Sequence, residues 1–103
     1  MGHPLLDLTN KTAVVIGGTS GIGLALARGL AQAGAHVVPT GRRAELVRKS
    51  AAEIVALGRR SLVETSDVTD NSSIERLLEA VLAEFGSVQI LSLIHISEPT
   101  RPY

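Results

Sequence analysis

The run Gly17-Gly18-Thr19-Ser20-Gly21-Ile22-Gly23 is the part of this chain best suited to chemistry, and that chemistry is the holding of a phosphate. Glycine lets a backbone turn sharply and lets an anion approach without meeting a Cβ. Spacing narrows the type. A P-loop begun at Gly18 needs lysine after Gly23, where Leu24 stands, and G-x-G-x-x-G begun at Gly21 needs glycine at Leu26. What remains is G-x-x-x-G-x-G, from Gly17 through Gly21 to Gly23. A glycine cluster can also be a bare turn, and here the flanking sequence argues otherwise. Ala13-Val14-Val15-Ile16 is an uninterrupted apolar run, as in a buried parallel strand. Leu24 to Ala33 is rich in Ala and Leu and closes at Gly34, a natural residue past a helix end. A helix starting at the loop points free N–H groups and a partial positive charge at whatever sits there. Gly17, Thr19, Ser20, Gly21, Ile22 and Gly23 are the candidate binding residues of the loop.

A dinucleotide needs further contacts. In sheets that bind one, an acidic residue about 20 positions on grips the ribose 2′-hydroxyl of NAD. Here that stretch reads Pro39-Thr40-Gly41-Arg42-Arg43 and holds no carboxylate. Two guanidinium groups offer fork-shaped donors to a 2′-phosphate instead. NADP is therefore favoured over NAD, with Arg42 ahead of Arg43. The alternative is that both arginines open a solvated helix, although a cation there opposes the helix dipole. Asp67 could accept from an adenine amino group, or serve as an ordinary turn carboxylate.

The elements that position these residues alternate strand and helix, the pattern of a parallel sheet with helices on its faces. Strands are expected at 12–16, 36–40, 61–66 and from Val88, and helices at about 22–33, 43–57 and from the Asp70 to Ser73 region to Phe85. Pro39 is awkward in the second strand because it has no N–H for the ladder. Leu46, Val47, Ile54 and Val55 give the second helix an apolar face, closed at Gly58. Ser72 and Glu75 stand at capping-box spacing before Ile74, Leu77, Leu78, Val81, Leu82 and Phe85, which repeat at helical intervals. Right-handed crossovers give the order 3-2-1-4, strands counted along the chain, with the first two helices on one face and the third on the other. The expected fold is α/β, a Rossmann-like doubly wound parallel sheet truncated after strand 4. The order reverses between strands 1 and 4, where ligands bind in such sheets, and the glycine loop lies there.

At 103 residues and 45% hydrophobic, the chain is one small domain or a piece of a larger one. Ten basic side chains balance ten acidic ones, with no basic tract, so a nucleic-acid surface is not expected. The absence of cysteine excludes a disulfide scaffold, a thiolate metal site and a cysteine nucleophile. His3, His36 and His95 stand far apart, form no metal-ligand spacing and read as structural or solvent-facing. Met1 to Asn10 lacks the charge and apolar pattern of a signal peptide, and no apolar run is long enough to span a bilayer. A cytoplasmic setting without membrane contact is the expectation.

Four segments resemble the short-chain dehydrogenase/reductase family. Gly17 to Gly23 matches its TGxxxGIG, with Ile16 in place of the threonine; Thr40-Gly41-Arg42-Arg43 is similar to NADP-preferring members. Asp67-Val68-Thr69-Asp70 matches the adenine-side DV(T)D, which brings in Val68, and Phe85 to Leu91 resembles FGxVDIL, with Gln89 where aspartate is usual. The extended relatives, epimerases and dehydratases, usually space the glycines differently. The likeness covers about residues 5–91, an N-terminal half, and implies an NADP-dependent oxidoreductase of a small-molecule alcohol or carbonyl, as a homo-oligomer. It also implies a catalytic Tyr with Lys four positions on, a Ser and an Asn. None is at hand, since Tyr103 is the only tyrosine and no lysine follows it. No catalytic residue is assigned, and turnover by this polypeptide is not expected. A non-catalytic dinucleotide-binding module is the alternative.

The likeness stops at Leu91, where the family continues Val-Asn-Asn-Ala-Gly. Leu91 to Arg101 matches, codon by codon, the translation of a transposase mosaic-end sequencing adapter. The expectation is therefore an NAD(P)-binding Rossmann-type half over 1–91 and a non-native tail over 92–103. The apolar stretch from Val88 to Ile96 would form an aggregation-prone edge.

Overall fold

The computed structural model describes residues 8–93. Six elements follow one another: β1 (Thr12–Ile16), α1 (Gly21–Gln32), β2 (His36–Thr40), α2 (Ala44–Ala56), α3 (Asn71–Phe85) and β3 (Ile90–Leu93). The strands are all parallel and lie in the order β2-β1-β3. β1 is central, and all five of its residues are buried, which is why that stretch is uniformly apolar or small. The architecture is the expected Rossmann-like one.

Alternation along β1 and β2 sends side chains to two cores. Ala13, Val15 and Val37 meet Ala27 and Ala31 of α1 and Ile54 of α2, whereas Val14, Ile16 and Val38 meet Leu77 and Val81 of α3. The first two helices thus share one face and the third takes the other. Gly23, Ala27 and Ala31 form the buried stripe of α1 at four-residue spacing, small enough for a close approach to the sheet. On α2 the buried stripe is Val47, Ser50, Ala51 and Ile54. Val55, expected on that stripe, is instead 59% exposed, one helical step beyond it.

α3 is capped by Asp70, whose carboxylate accepts the Ser72 N–H at 3.0 Å, and it ends at Gly86 in the left-handed conformation. The Ser72–Glu75 capping box is not the one used, because Ser72 already lies inside the helix. β3 starts at Ile90 rather than Val88, and Val88 packs against the α3-side core ahead of it. Gln89 makes the join with its side chain. Its N–H donates to Thr12 O at 3.0 Å, and its Oε1 accepts the Thr12 N–H at 2.8 Å in the manner of a backbone carbonyl.

The strand expected at 61–66 is absent from the sheet. Two backbone bonds alone join this stretch to the β2 edge: Val37 N–H to Arg60 O and Ser66 N–H to Gly41 O. Those two bonds fix a parallel register in which Leu62 C=O faces residue 39. Pro39 has no N–H to give it, so the ladder fails in its middle. Further along, the Thr40 hydroxyl donates to Glu64 O. His36 fastens the near end: its Nδ1 accepts the Arg60 N–H at 3.1 Å and its ring stacks on Phe85. His3, His95 and most of the suspected tail lie outside the described residues, while Ser92 and Leu93 finish β3.

Replacing Gln89 by Ala leaves the buried Thr12 N–H without an acceptor, a loss of about 1–3 kcal/mol. A lowered urea midpoint with unchanged slope is expected, and an unchanged midpoint would count against the role given to Gln89.

Candidate nucleotide-binding site

At the carboxyl end of β1 the chain folds over the end of β2. Thr40 C=O accepts the N–H groups of Gly17 at 2.8 Å and Gly18 at 3.2 Å. The turn needs a positive φ of 86° at Gly17. The glycine spacing has a steric cause as well. A Cβ on Gly23 would lie 1.9 Å from Gly17 O, and one on Gly18 would lie 2.7 Å from Val15 O. The first turn of α1 therefore packs directly on the loop that precedes it.

Ser20 is the N-cap of α1, extended and without a side-chain capping bond. Among the described residues, no acceptor takes the N–H groups of Gly21, Ile22 or Gly23. Free N–H groups at a helix start, with no carboxylate in the first turn, favour an anion there.

A pocket of about 440 Å³ opens beside this turn, lined by Ile16, Gly17, Thr19, Ser20, Gly41, Arg42, Ser66, Asp67, Val68 and Thr69. Six of the candidate residues thus share one wall system: Gly17, Thr19, Ser20, Arg42, Asp67 and Val68. Four do not line it. Gly21 and Gly23 build the helix start, Ile22 is 72% exposed, and Arg43 is the extended N-cap of α2. Arg42 forms no salt bridge among the described residues, so its guanidinium is available to a ligand.

Asp67 Oδ1 accepts the Thr69 hydroxyl at 2.6 Å and the Thr69 N–H at 2.9 Å. The hydroxyl bond first, then the N–H bond, hold the carboxyl below its ordinary value; Arg42 acts in the same direction and desolvation opposes them. Asp67 therefore keeps its charge through the neutral range. The stability these bonds contribute is complete above about pH 4 and is lost as pH falls through the lowered value.

Sequence reasoning missed Ile16, Gly41, Ser66 and Thr69 as pocket residues. Gly41 had a signal, standing between the strand end and Arg42; a Cβ there would come 3.2 Å from Thr19 Oγ1. Ser66 had none, because it enters through bonds to β2: its N–H reaches Gly41 O and its Oγ lies 3.1 Å from Thr40 Oγ1.

Residues 11–94 match the family model of the short chain dehydrogenases. Oxidoreductase asL5 of Sarocladium schorii is 45% identical over 84 residues, which make up 82% of this chain and 32% of that protein. Hydroxysteroid dehydrogenase from Escherichia coli superposes with a TM-score of 0.81 at 31% identity, over 85% of this chain and 37% of that one. The L-sorbose reductase of Gluconobacter frateurii, complexed with NADPH and L-sorbose, gives 0.79 at 34% identity, over 84% and 33%. The chain belongs to the short-chain dehydrogenase family, and it spans about a third of the length of these relatives.

A methyl group at Gly23 must displace the Gly17 carbonyl, which is backbone and cannot swing aside. Gly23→Ala is expected to destabilise the chain by about 1–3 kcal/mol and to abolish nucleotide binding. A variant with wild-type melting and binding would refute the close packing of loop and helix.

Proposed function

We propose that this chain is the NADP-binding portion of a short-chain dehydrogenase/reductase whose whole form moves a hydride between NADP(H) and the carbon of an alcohol or carbonyl substrate. The observation that carries the cofactor reading is Arg42, on the pocket wall and in no salt bridge among the described residues, at a strand end that offers no carboxylate to a ribose 2′-hydroxyl. The NADPH complex of L-sorbose reductase supports the same reading.

The residues present fit such a cofactor. Gly17, Thr19 and Ser20, with the free N–H groups of Gly21 to Gly23, would take the pyrophosphate. Arg42 would take the 2′-phosphate, with Arg43 a secondary donor, and Asp67 and Val68 would take the adenine side. Bound NADPH supplies the hydride; the chain itself binds and orients.

No Tyr-x-x-x-Lys set is present, so binding without turnover is the reading for the 103-residue polypeptide. It goes with a native reading frame that departs from this sequence after Leu91. Re-sequencing the source locus tests this, with a downstream Ser and Tyr-x-x-x-Lys expected; a native gene encoding Ser92 to Tyr103 would sink it. A second reading, a non-catalytic nucleotide-binding module native as written, rests on one observation. Ser92 and Leu93 pair in register with Val15 and Ile16 and complete β3.

Charge-assisted bonds of the Arg42 kind are worth about 1.5–3 kcal/mol, so Arg42→Ala should weaken NADP binding about 10–100-fold and leave NAD binding nearly unchanged. Calorimetric titration with both nucleotides decides it. Equal losses for the two would remove the 2′-phosphate assignment.

A further inference from the structure

The stretch from Ser61 to Thr65 is not a strand, yet the chain is held to β2 on either side of it, by Arg60 and by Ser66. On β2, His36 N–H bonds Lys11 O and Thr40 O accepts the Gly17 N–H, so the even-numbered residues face β1. Val37, Pro39 and Gly41 face outward, toward residues 60–66. The observed bonds at Val37 and Gly41 place Leu62 and Glu64 on either side of Pro39. In that register Leu62 N–H could reach Val37 O, and Glu64 N–H could reach Pro39 O. Neither bond is made. The one bond that cannot be made at all is from residue 39 to Leu62 O, because proline has no N–H.

A second observation agrees. Between α2 and this stretch lies a cleft of about 510 Å³ lined by Ala51, Ala52, Val55, Leu62, Val63 and others. Ser61 Oγ is buried beside it without a hydrogen-bond partner. Val63 is left 49% exposed. An apolar cleft beside an unladdered stretch, with an orphaned hydroxyl, marks a strap whose backbone is bonded to β2 only at its two ends. Between them the Thr40 hydroxyl holds Glu64 O and Leu62 packs on the α3-side core, while the Leu62 and Glu64 N–H groups make no bond to β2.

The strap's far anchor is also the wall of the nucleotide pocket. Ser66 and Asp67 line it together with Gly41 and Arg42, and the Ser66 N–H to Gly41 O bond joins the strap to the end of β2 there. A ligand that contacts both sides adds bonds across the same seam and favours the seated strap over the loose one.

We propose that Pro39 is a positioning residue for the nucleotide pocket. By denying Leu62 its donor it leaves the strap unzipped from β2, and nucleotide bound at the Ser66–Asp67 end draws Leu62 and Glu64 into the ladder. The coupling to nucleotide rests on the NADP reading above; the unzipped strap does not.

The test uses the 103-residue chain, hydrogen exchange resolved to single amides, and NADP as the probe. In the wild type, NADP should slow exchange at Leu62 and Glu64. In Pro39→Val those amides, and that of residue 39, should be slow without nucleotide, and NADP should bind about 3–10-fold tighter because the competent state is already populated. Pro39→Ala restores the same donor with a smaller side chain and should act in the same direction if the valine variant folds poorly. Unchanged exchange at Leu62 and Glu64 in both variants overturns the unzipped strap. Slowed exchange with unchanged NADP affinity makes Pro39 merely structural and overturns the positioning role. Absence of NADP binding in all three proteins overturns the cofactor reading and the coupling together, and exchange in the variants still decides the strap.

Discussion

One buried residue, Thr40, holds together the parts on which the site depends. Its carbonyl accepts two N–H groups from the glycine loop, and its hydroxyl donates to Glu64 O and lies within bonding distance of Ser66 Oγ. β1 and β2 would pair without it, but the loop would have no seat and the wall carrying Asp67 would lose an anchor. The residue is fully buried, so each of these bonds forms away from competing water and each unmade bond would leave a group unsatisfied. The pocket is therefore assembled around the end of a strand, and the free N–H groups beside it come from backbone whose direction that strand end sets.

What was legible in the sequence was whatever repeats. The β1 run and the α3 face declare themselves because burial acts on side chains at the period of the element, whereas α1 was legible from its Ala and Leu content and Gly34 rather than from its buried Gly23, Ala27 and Ala31. The glycine loop was legible for a different reason. A Cβ at Gly18 or Gly23 would strike backbone, so the constraint falls on residue type. The rest was hidden because it arises where side chain and backbone exchange roles. Gln89 acts as a backbone carbonyl toward Thr12, Thr40 acts as a backbone donor toward Glu64, and Asp70 takes the cap that Ser72 was spaced to take. None of these has a period. Pro39 was visible as an anomaly in its own strand, but its effect falls on the neighbouring stretch, whose apolar and β-branched composition still reads as a strand.

The sheet is covered unequally. α1 and α2 share one face and bury Ala13, Val15, Val37 and the partly buried Ile90, so on that side all three strands have packing partners. On the other face α3 covers Val14, Ile16 and Val38, while Leu91 and Leu93 remain more than half exposed. Two leucines on one face of β3, which is the edge of the sheet among the described residues, form the kind of surface that folded domains keep covered. The family relatives, about three times as long, have chain with which to cover it.

The electrostatics of the pocket give the nucleotide reading its internal logic. Arg42 and Asp67 both line the pocket, and Arg42 helps to hold the Asp67 carboxyl below its ordinary value, yet no salt bridge joins them among the described residues. The carboxylate is occupied elsewhere, its Oδ1 taken by both donors of Thr69. Those bonds hold the carboxylate against its own loop, and the Arg42 guanidinium helps to keep it ionised. Had the acid stood at the end of β2, beside Gly41, it would have met a ribose hydroxyl and excluded a phosphate. With Gly41 there instead, any side chain would crowd Thr19, so the position next to Arg42 carries neither charge nor bulk. Among the described residues Arg42 has no salt-bridge partner and the N–H groups of Gly21 to Gly23 have no acceptor, and donors left in that state favour an anion.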